Sequence, residues 1–134
     1  QYNIYPKIPT NQLMLKESLV SEAYTWMGVK YSWGGTTRKG VDCSAFVRNV
    51  YKTSLGISLP RTSREQFKNT KQILQSEIKS GDLVFFLNSK GVHHVGLMLD
   101  DLYFIHASSS RGVRVDSLKT GYWSCKMKKF RRII

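Results

Sequence analysis

An α+β fold is predicted for this chain of 134 residues, on three observations. Apolar residues recur at helical spacing in the first half, in "NQLMLKESLVSEAYTWMG" and again after Cys43. Beyond residue 80 the period shortens, and brief runs rich in β-branched and aromatic residues alternate with Gly, Asn, Asp and Ser. No repeat, low-complexity tract or linker breaks this order. Helices followed by consecutive strands predict one domain with a mostly antiparallel sheet of five or six strands.

The first helix is expected over residues 11–28, with Leu13, Leu15, Leu19, Ala23, Trp26 and Met27 near helical spacing. Residues 29–42, "VKYSWGGTTRKGVD", hold three glycines and read as an irregular loop. A second helix starts near Cys43, because Phe46, Val47, Val50 and Tyr51 fall on i, i+1, i+4 and i+5 and Gly56 suits its C-terminal cap. In "LPRTSREQF" an extended Leu-Pro segment leads to Thr62 or Ser63 capping a short helical turn. Strands are expected at 81–88, 93–100, 102–109, 112–117 and 126–134.

Hydrophobic residues make up 41% and charged ones 22%, the balance of a globular rather than a disordered chain. No apolar run approaches the roughly 20 residues of a membrane-spanning helix. The opening "QYNIYPKIPT" has neither a charged n-region nor an apolar core, and it starts on Gln rather than Met, so a processed or trimmed form is expected, which leaves room for a removed export signal or lipoprotein leader. The 21 Lys and Arg against 9 Asp and Glu give a formal charge of +12, a field that draws anionic partners such as nucleic acid, acidic lipid or a wall polymer. The densest basic run, "CKMKKFRR", lacks the interleaved aromatics of a base-stacking surface, and no nucleic-acid partner is expected. There are two cysteines, Cys43 and Cys125, and no CxxC or Cys/His zinc pattern, so neither a structural metal nor a cofactor is expected. Cys125 reads as a strand thiol, and Trp26, Trp33 and Trp123 as core or cleft-wall residues.

Cys43, in "KGVDCSAFVRNVY", admits four readings: core thiol, half of a disulfide, metal ligand or nucleophile. At a helix N-terminus it lies near free N–H groups and the positive end of the dipole, which favours a thiolate at neutral pH. All three histidines, His93, His94 and His106, fall in the strand half, where an imidazole within reach of the thiol would complete an activated nucleophile. His94 and His106 lie on consecutive strand candidates. With a three-residue loop at 99–101 they oppose each other directly, whereas with a two-residue turn they face opposite ways. A shared face therefore requires an odd loop or a bulge. His93 is expected on the other side of the sheet, and Gly96 is expected to leave room for the helix.

"GGTTRKGVDCSAFVRNVY", "LPRTSREQ", "GDLVFF", "HHVGLML" and "FIHASSSRGV", in that order, resemble the NlpC family of cell-wall cysteine peptidases, a branch of the papain-like superfamily. The resemblance runs from about residue 16 to 134, which divides the chain into an extension over 1–15 and a peptidase domain over 16–134. The family pattern is similar to "DCSGF"; here Ala45 replaces its glycine. The resemblance implies a papain-like fold with N-terminal helices on the sheet, Cys43 as nucleophile, His94 as general base and His106 as the residue that orients it. It implies that Tyr31 assists the oxyanion or positions substrate, that Asp42 and Ser44 touch substrate or cap the helix, and that Arg61 and Ser63 lie near the cleft. The implied substrate is the peptide part of bacterial peptidoglycan, cut in stem or cross-link at D-glutamyl or diaminopimelate residues. The implied location is the cell envelope, periplasmic or lipid-anchored through a removed N-terminal segment, or outside the cell, and the implied state is a monomer. Two other classes compete: a catalytically restrained or inactive wall-binding module of the same fold, and an anionic-surface binder, which leaves "DCS" and "HHVG" unexplained.

Overall fold

The computed structural model describes residues 9–134. The first eight residues of the expected extension lie outside it. From Pro9 the chain is already helical: α1, Pro9–Tyr24, runs through the expected boundary after residue 15. Its inward residues are Leu19 and Ala23, joined by Trp26 in the turn that follows, whereas Leu13, Met14 and Met27 are exposed. The expected loop contains a small hairpin, β1 (Thr36–Thr37) and β2 (Gly40–Val41), and Tyr31 bridges to Val41 beside it. Then come α2 (Cys43–Leu55), closed by Gly56 in the left-handed conformation at φ 69°, and α3 (Ser63–Lys68), capped by Thr62.

Six strands make the main sheet: β3 (Lys71–Ile73), β4 (Leu83–Asn88), β5 (Gly91–Met98), β6 (Tyr103–Ser108), β7 (Gly112–Ser117) and β8 (Met127–Arg132), in the order β3-β8-β4-β5-β6-β7. Every pairing in it is antiparallel. A single-turn helix, α4 (Gly121–Ser124), precedes β8. The pleat sends Phe85, Val95, Leu97 and Ile105 toward α1 and α2, where Phe46 and Tyr51 are wholly buried. Burying each such aromatic ring contributes about 1.5–3 kcal/mol. Val84, Phe86, Met98 and Phe104 face the other way, under Leu118 and Trp123. That second face carries His94 and His106.

The β5–β6 register pairs Leu97 with Ile105 and Met98 with Phe104, and Leu99 N–H donates to Tyr103 O at 2.8 Å. Residues 100–102 are left as the loop, odd in length as the shared face required, but one residue later than expected. This register sets Gly96, not His94, across from His106. A Cβ on Gly96 would lie 2.8 Å from Phe104 Cδ2 and 3.2 Å from His106 Cβ, so the space it leaves is taken by His106 and Phe104 rather than by the helix. On the other flank of β5, Phe86 pairs with His94 and Leu87 with Val92, so His93 is the extra residue of a bulge.

Candidate active site

Cys43 opens α2. Asp42 before it is extended, at φ −91° and ψ 176°, and its Oδ1 accepts from the Ala45 N–H at 2.8 Å. Arg61 holds the same carboxylate, Nη2 to Oδ2 at 2.8 Å and Nη1 to Oδ1 at 3.2 Å, and also donates to Ser44 Oγ at 3.0 Å. Gln66, buried in α3, donates to Ser44 O at 3.0 Å and to Pro60 O at 2.9 Å. Asp42, Ser44 and Arg61 thus come together, but around one another beneath the helix start. With their donors and acceptors so engaged, none of them lines the cleft, and neither does Ser63, the first residue of α3. Of the two expectations for Asp42, the geometry shows the helix cap, with Ser44 and Arg61 bonded to it. Tyr31 does line the cleft.

Where β5 and β6 part beyond Leu97 and Ile105, the thiol meets the sheet, near the main-chain N–H of Val95. Burial nevertheless pushes the thiol up to about 11, and the neighbouring Asp42 carboxylate acts in the same direction. The thiolate expected at neutral pH is therefore not the resting form, because desolvation outweighs the donors at the helix start. Tyr31 is also raised, first by burial and then by Cys43 and Asp42, so its hydroxyl stays protonated and able to donate.

His94 Nε2 lies 2.8 Å from His106 Nδ1, and His106 Nε2 lies 2.7 Å from Asp116 Oδ2 on β7. The tautomers follow from this run. A carboxylate only accepts, so His106 carries its proton on Nε2; its Nδ1 must then accept, and His94 donates from Nε2. The nitrogen of His94 left with a free lone pair is Nδ1. Trp123 stacks on the His94 ring at 5.4 Å and 20° and stands edge-on to His106 at 5.0 Å and 87°. Burial lowers His94 well below the usual histidine value, helped by His106 and His93, so both imidazoles are neutral at pH 7.

Cys43 and His94 line one cleft of about 640 Å³, together with Tyr31, Trp123, Asp116 and the β6–β7 turn. His93 lines it too, exposed, because the bulge re-aims it; its expected place on the opposite side of the sheet is corrected. Trp26 is core and Trp123 cleft wall, as expected, but Trp33 is neither, being 91% exposed. Cys125 is exposed at the end of α4, not on a strand, and both cysteines are free. The residue missed altogether is Asp116. Its one signal was an acidic residue in a strand of a strongly basic chain.

The sequence pattern of the NlpC/P60 family matches residues 28–132. A probable endopeptidase NlpC homolog of Haemophilus influenzae is 40% identical over 98% of this chain and 72% of its own length. The Escherichia coli protein named murein DD-endopeptidase MepS/murein LD-carboxypeptidase is 36% identical over 90% of this chain. The chain spans 64% of that relative's length. The peptidoglycan hydrolase RipB of Mycobacterium tuberculosis shares the fold at a TM-score of 0.79, with 30% identity over 96% of this chain and 69% of its own. With the family pattern, the relatives and the fold in agreement, the chain belongs to the NlpC/P60 family.

Proposed function

We propose that Cys43, His94 and His106 are the catalytic residues of a cysteine endopeptidase that hydrolyses peptide bonds in bacterial peptidoglycan, with Asp116 as the positioning residue behind them. The observation that carries this is the hydrogen-bonded run from His94 through His106 to Asp116, which leaves His94 Nδ1 as an acceptor in the cleft that holds the thiol. An inactive wall-binding module would have no need of that run.

Thiol and imidazole both start neutral. His94 Nδ1 takes the thiol proton as sulfur attacks the peptide carbonyl, and the positive charge then on His94 is stabilised through His106 by the Asp116 carboxylate. The protonated Tyr31 hydroxyl donates to the oxyanion. Collapse of the tetrahedral intermediate breaks the C–N bond, the amine leaves with the proton from His94, and water activated by the same nitrogen hydrolyses the thioester. The bonds cut are those at D-glutamyl or diaminopimelate residues, whose carboxylates suit a basic protein. Its substrate places the enzyme in the cell envelope, periplasmic or lipid-anchored, or secreted, and a catalytic set drawn from one chain suits a monomer.

Purified sacculi test this. Wild type is expected to release peptide-bearing fragments, identified by mass spectrometry, and Cys43→Ala to release none. Undiminished release by Cys43→Ala, or no release by wild type, overturns the assignment.

A further inference from the structure

One end of the cleft is the turn between β6 and β7, residues 109–111, and it is built rigidly. Arg111 N–H donates to Ser108 Oγ at 3.2 Å and closes the turn. Gly112 follows at φ 75°, and a Cβ there would lie 2.5 Å from Val29 O, so the turn presses directly on the segment leading to Tyr31. Gly28 N–H donates to Val113 O at 3.0 Å and Val113 N–H to Val29 O at 2.9 Å. That segment is tied to the start of the catalytic helix in turn, by Val41 N–H to Lys30 O at 3.0 Å and Ser32 N–H to Val41 O at 3.2 Å. A run of main-chain bonds, with the Ser108 hydroxyl closing the turn, therefore ties the backbone at Arg111 to the start of the Cys43 helix.

Charge at this end is not neutralised. Arg38, Arg61 and Arg132 are each spent on a carboxylate. Arg111 makes no side-chain hydrogen bond or ion pair among the described residues, and it lines the cleft. Arg114 also lines it; its closest approach to Asp116 is Nε to Oδ2 at 3.2 Å, without a hydrogen bond, and its two terminal nitrogens make no hydrogen bond among the described residues. Asp116 is the one carboxylate in the lining, and it is already bonded to His106. Two guanidinium groups thus face one committed acid, beside the hydroxyls of Ser109 and Ser110.

We propose that Arg111, with the terminal nitrogens of Arg114 behind it, forms a carboxylate-binding subsite for an acidic residue flanking the bond to be cut. The inference rests on the peptidase reading and deepens it, by assigning to named residues the preference for acidic substrate. A guanidinium matches a carboxylate with two parallel N–H donors, which a carboxamide cannot accept in full.

Soluble D-glutamyl–diaminopimelyl peptides test the subsite, each acidic residue beside the scissile bond being presented in turn as carboxylate and as carboxamide. Wild type is expected to favour one carboxylate form by about tenfold to a hundredfold in kcat/KM, mainly through KM and less at high salt. Arg111→Gln is expected to bring that ratio close to one, while Arg48→Gln, an exposed arginine on α2, keeps it. Binding of the same pairs to Cys43→Ala, followed through Trp123 fluorescence, reads the preference without turnover. Equal kcat/KM for both members of each pair in wild type, or a ratio undiminished in Arg111→Gln, overturns the subsite and leaves the peptidase standing. Wild type that cleaves neither the peptides nor sacculi overturns the functional reading itself.

Discussion

Replacing Asp116 by asparagine changes one group in the relay and leaves its shape intact. The carboxylate oxygen at 2.7 Å from His106 Nε2 becomes either an amide oxygen or an amide N–H. If the N–H turns to His106, the tautomers reverse along the run: His106 carries its proton on Nδ1 and donates it in a hydrogen bond to His94 Nε2, so the His94 proton sits on Nδ1, where the proposed base needs a lone pair. In a Ser-His-Asp protease the corresponding change lowers kcat about ten-thousandfold. If the oxygen stays, as Arg114 Nε at 3.2 Å favours, the tautomers survive and only the charge is lost. The His94 and His106 ring centres are 5.0 Å apart and the carboxylate lies just beyond the second ring. At roughly 8 Å and an effective dielectric near 20, that charge stabilises an imidazolium on His94 by about 2 kcal/mol, roughly thirtyfold in rate. The expected loss in kcat therefore lies between about thirtyfold and ten-thousandfold, with KM little changed. Steady-state kinetics on a soluble stem peptide measure it, and nitrogen NMR of the histidines reports which His94 nitrogen bears the proton. An Asp116→Asn enzyme within about threefold of wild type, with an unmoved pH profile, would show that the carboxylate takes no part.

Four further outcomes are expected. Because His94 is lowered, it becomes a neutral base at a pH well under 6.5, so the acid limb of kcat/KM should lie below that value, and alkylation of Cys43 should keep rising toward pH 11. An acid limb above 6.5, or an alkylation midpoint near 8.5, contradicts the burial argument. The same lowered histidines bind protons more readily unfolded than folded, so stability should fall as pH drops below 6.5, which denaturant midpoints between pH 5 and 7 would register. His94→Ala should abolish turnover and His106→Ala should leave a measurable remnant. His93→Ala should keep most of the activity while moving the acid limb upward, since His93 helps to hold His94 down. Asp42→Ala removes both the helix cap and the partner of Arg61, and should cost about 1–3 kcal/mol of stability by denaturant melt, against a few tenths for an exposed residue such as Lys52.

Most of the fold was legible because its long elements follow strong periods. The apolar stripe of α2 lies between Asp42 and Gly56, and β4 to β7 fall on the short runs rich in β-branched and aromatic residues. What escaped is short or depends on contacts distant in sequence. β3 has three residues, two of them exposed, and α4 is a single turn, so neither holds enough residues to show a period. Cys43, His94 and His106 could be named from their types and order, and the odd loop from the spacing of the histidines. The exact register could not, because a slip of two residues keeps every side chain on its face. The bulge at His93 leaves no trace in composition. Asp116 sits in "GVRVDS" with no motif around it, and only the β6–β7 pairing carries it to His106. The thiol went the wrong way because burial, which no sequence pattern states, outweighed the helix end.

The seam between β5 and β6 has a mechanical meaning. Two register pairs join these strands, at Leu97 with Ile105 and Met98 with Phe104, whereas six join β6 to β7 and six join β4 to β5. The sheet is in effect two plates hinged near residues 97 and 105. His94 rides on one plate, His106 and Asp116 ride on the other, and Cys43 meets the sheet where they part. The 2.8 Å bond between the imidazoles is therefore also a latch across the joint. Any breathing of the hinge takes the proton acceptor out of alignment before it loosens either plate, so the catalytic machinery should fail at smaller excursions than the fold does.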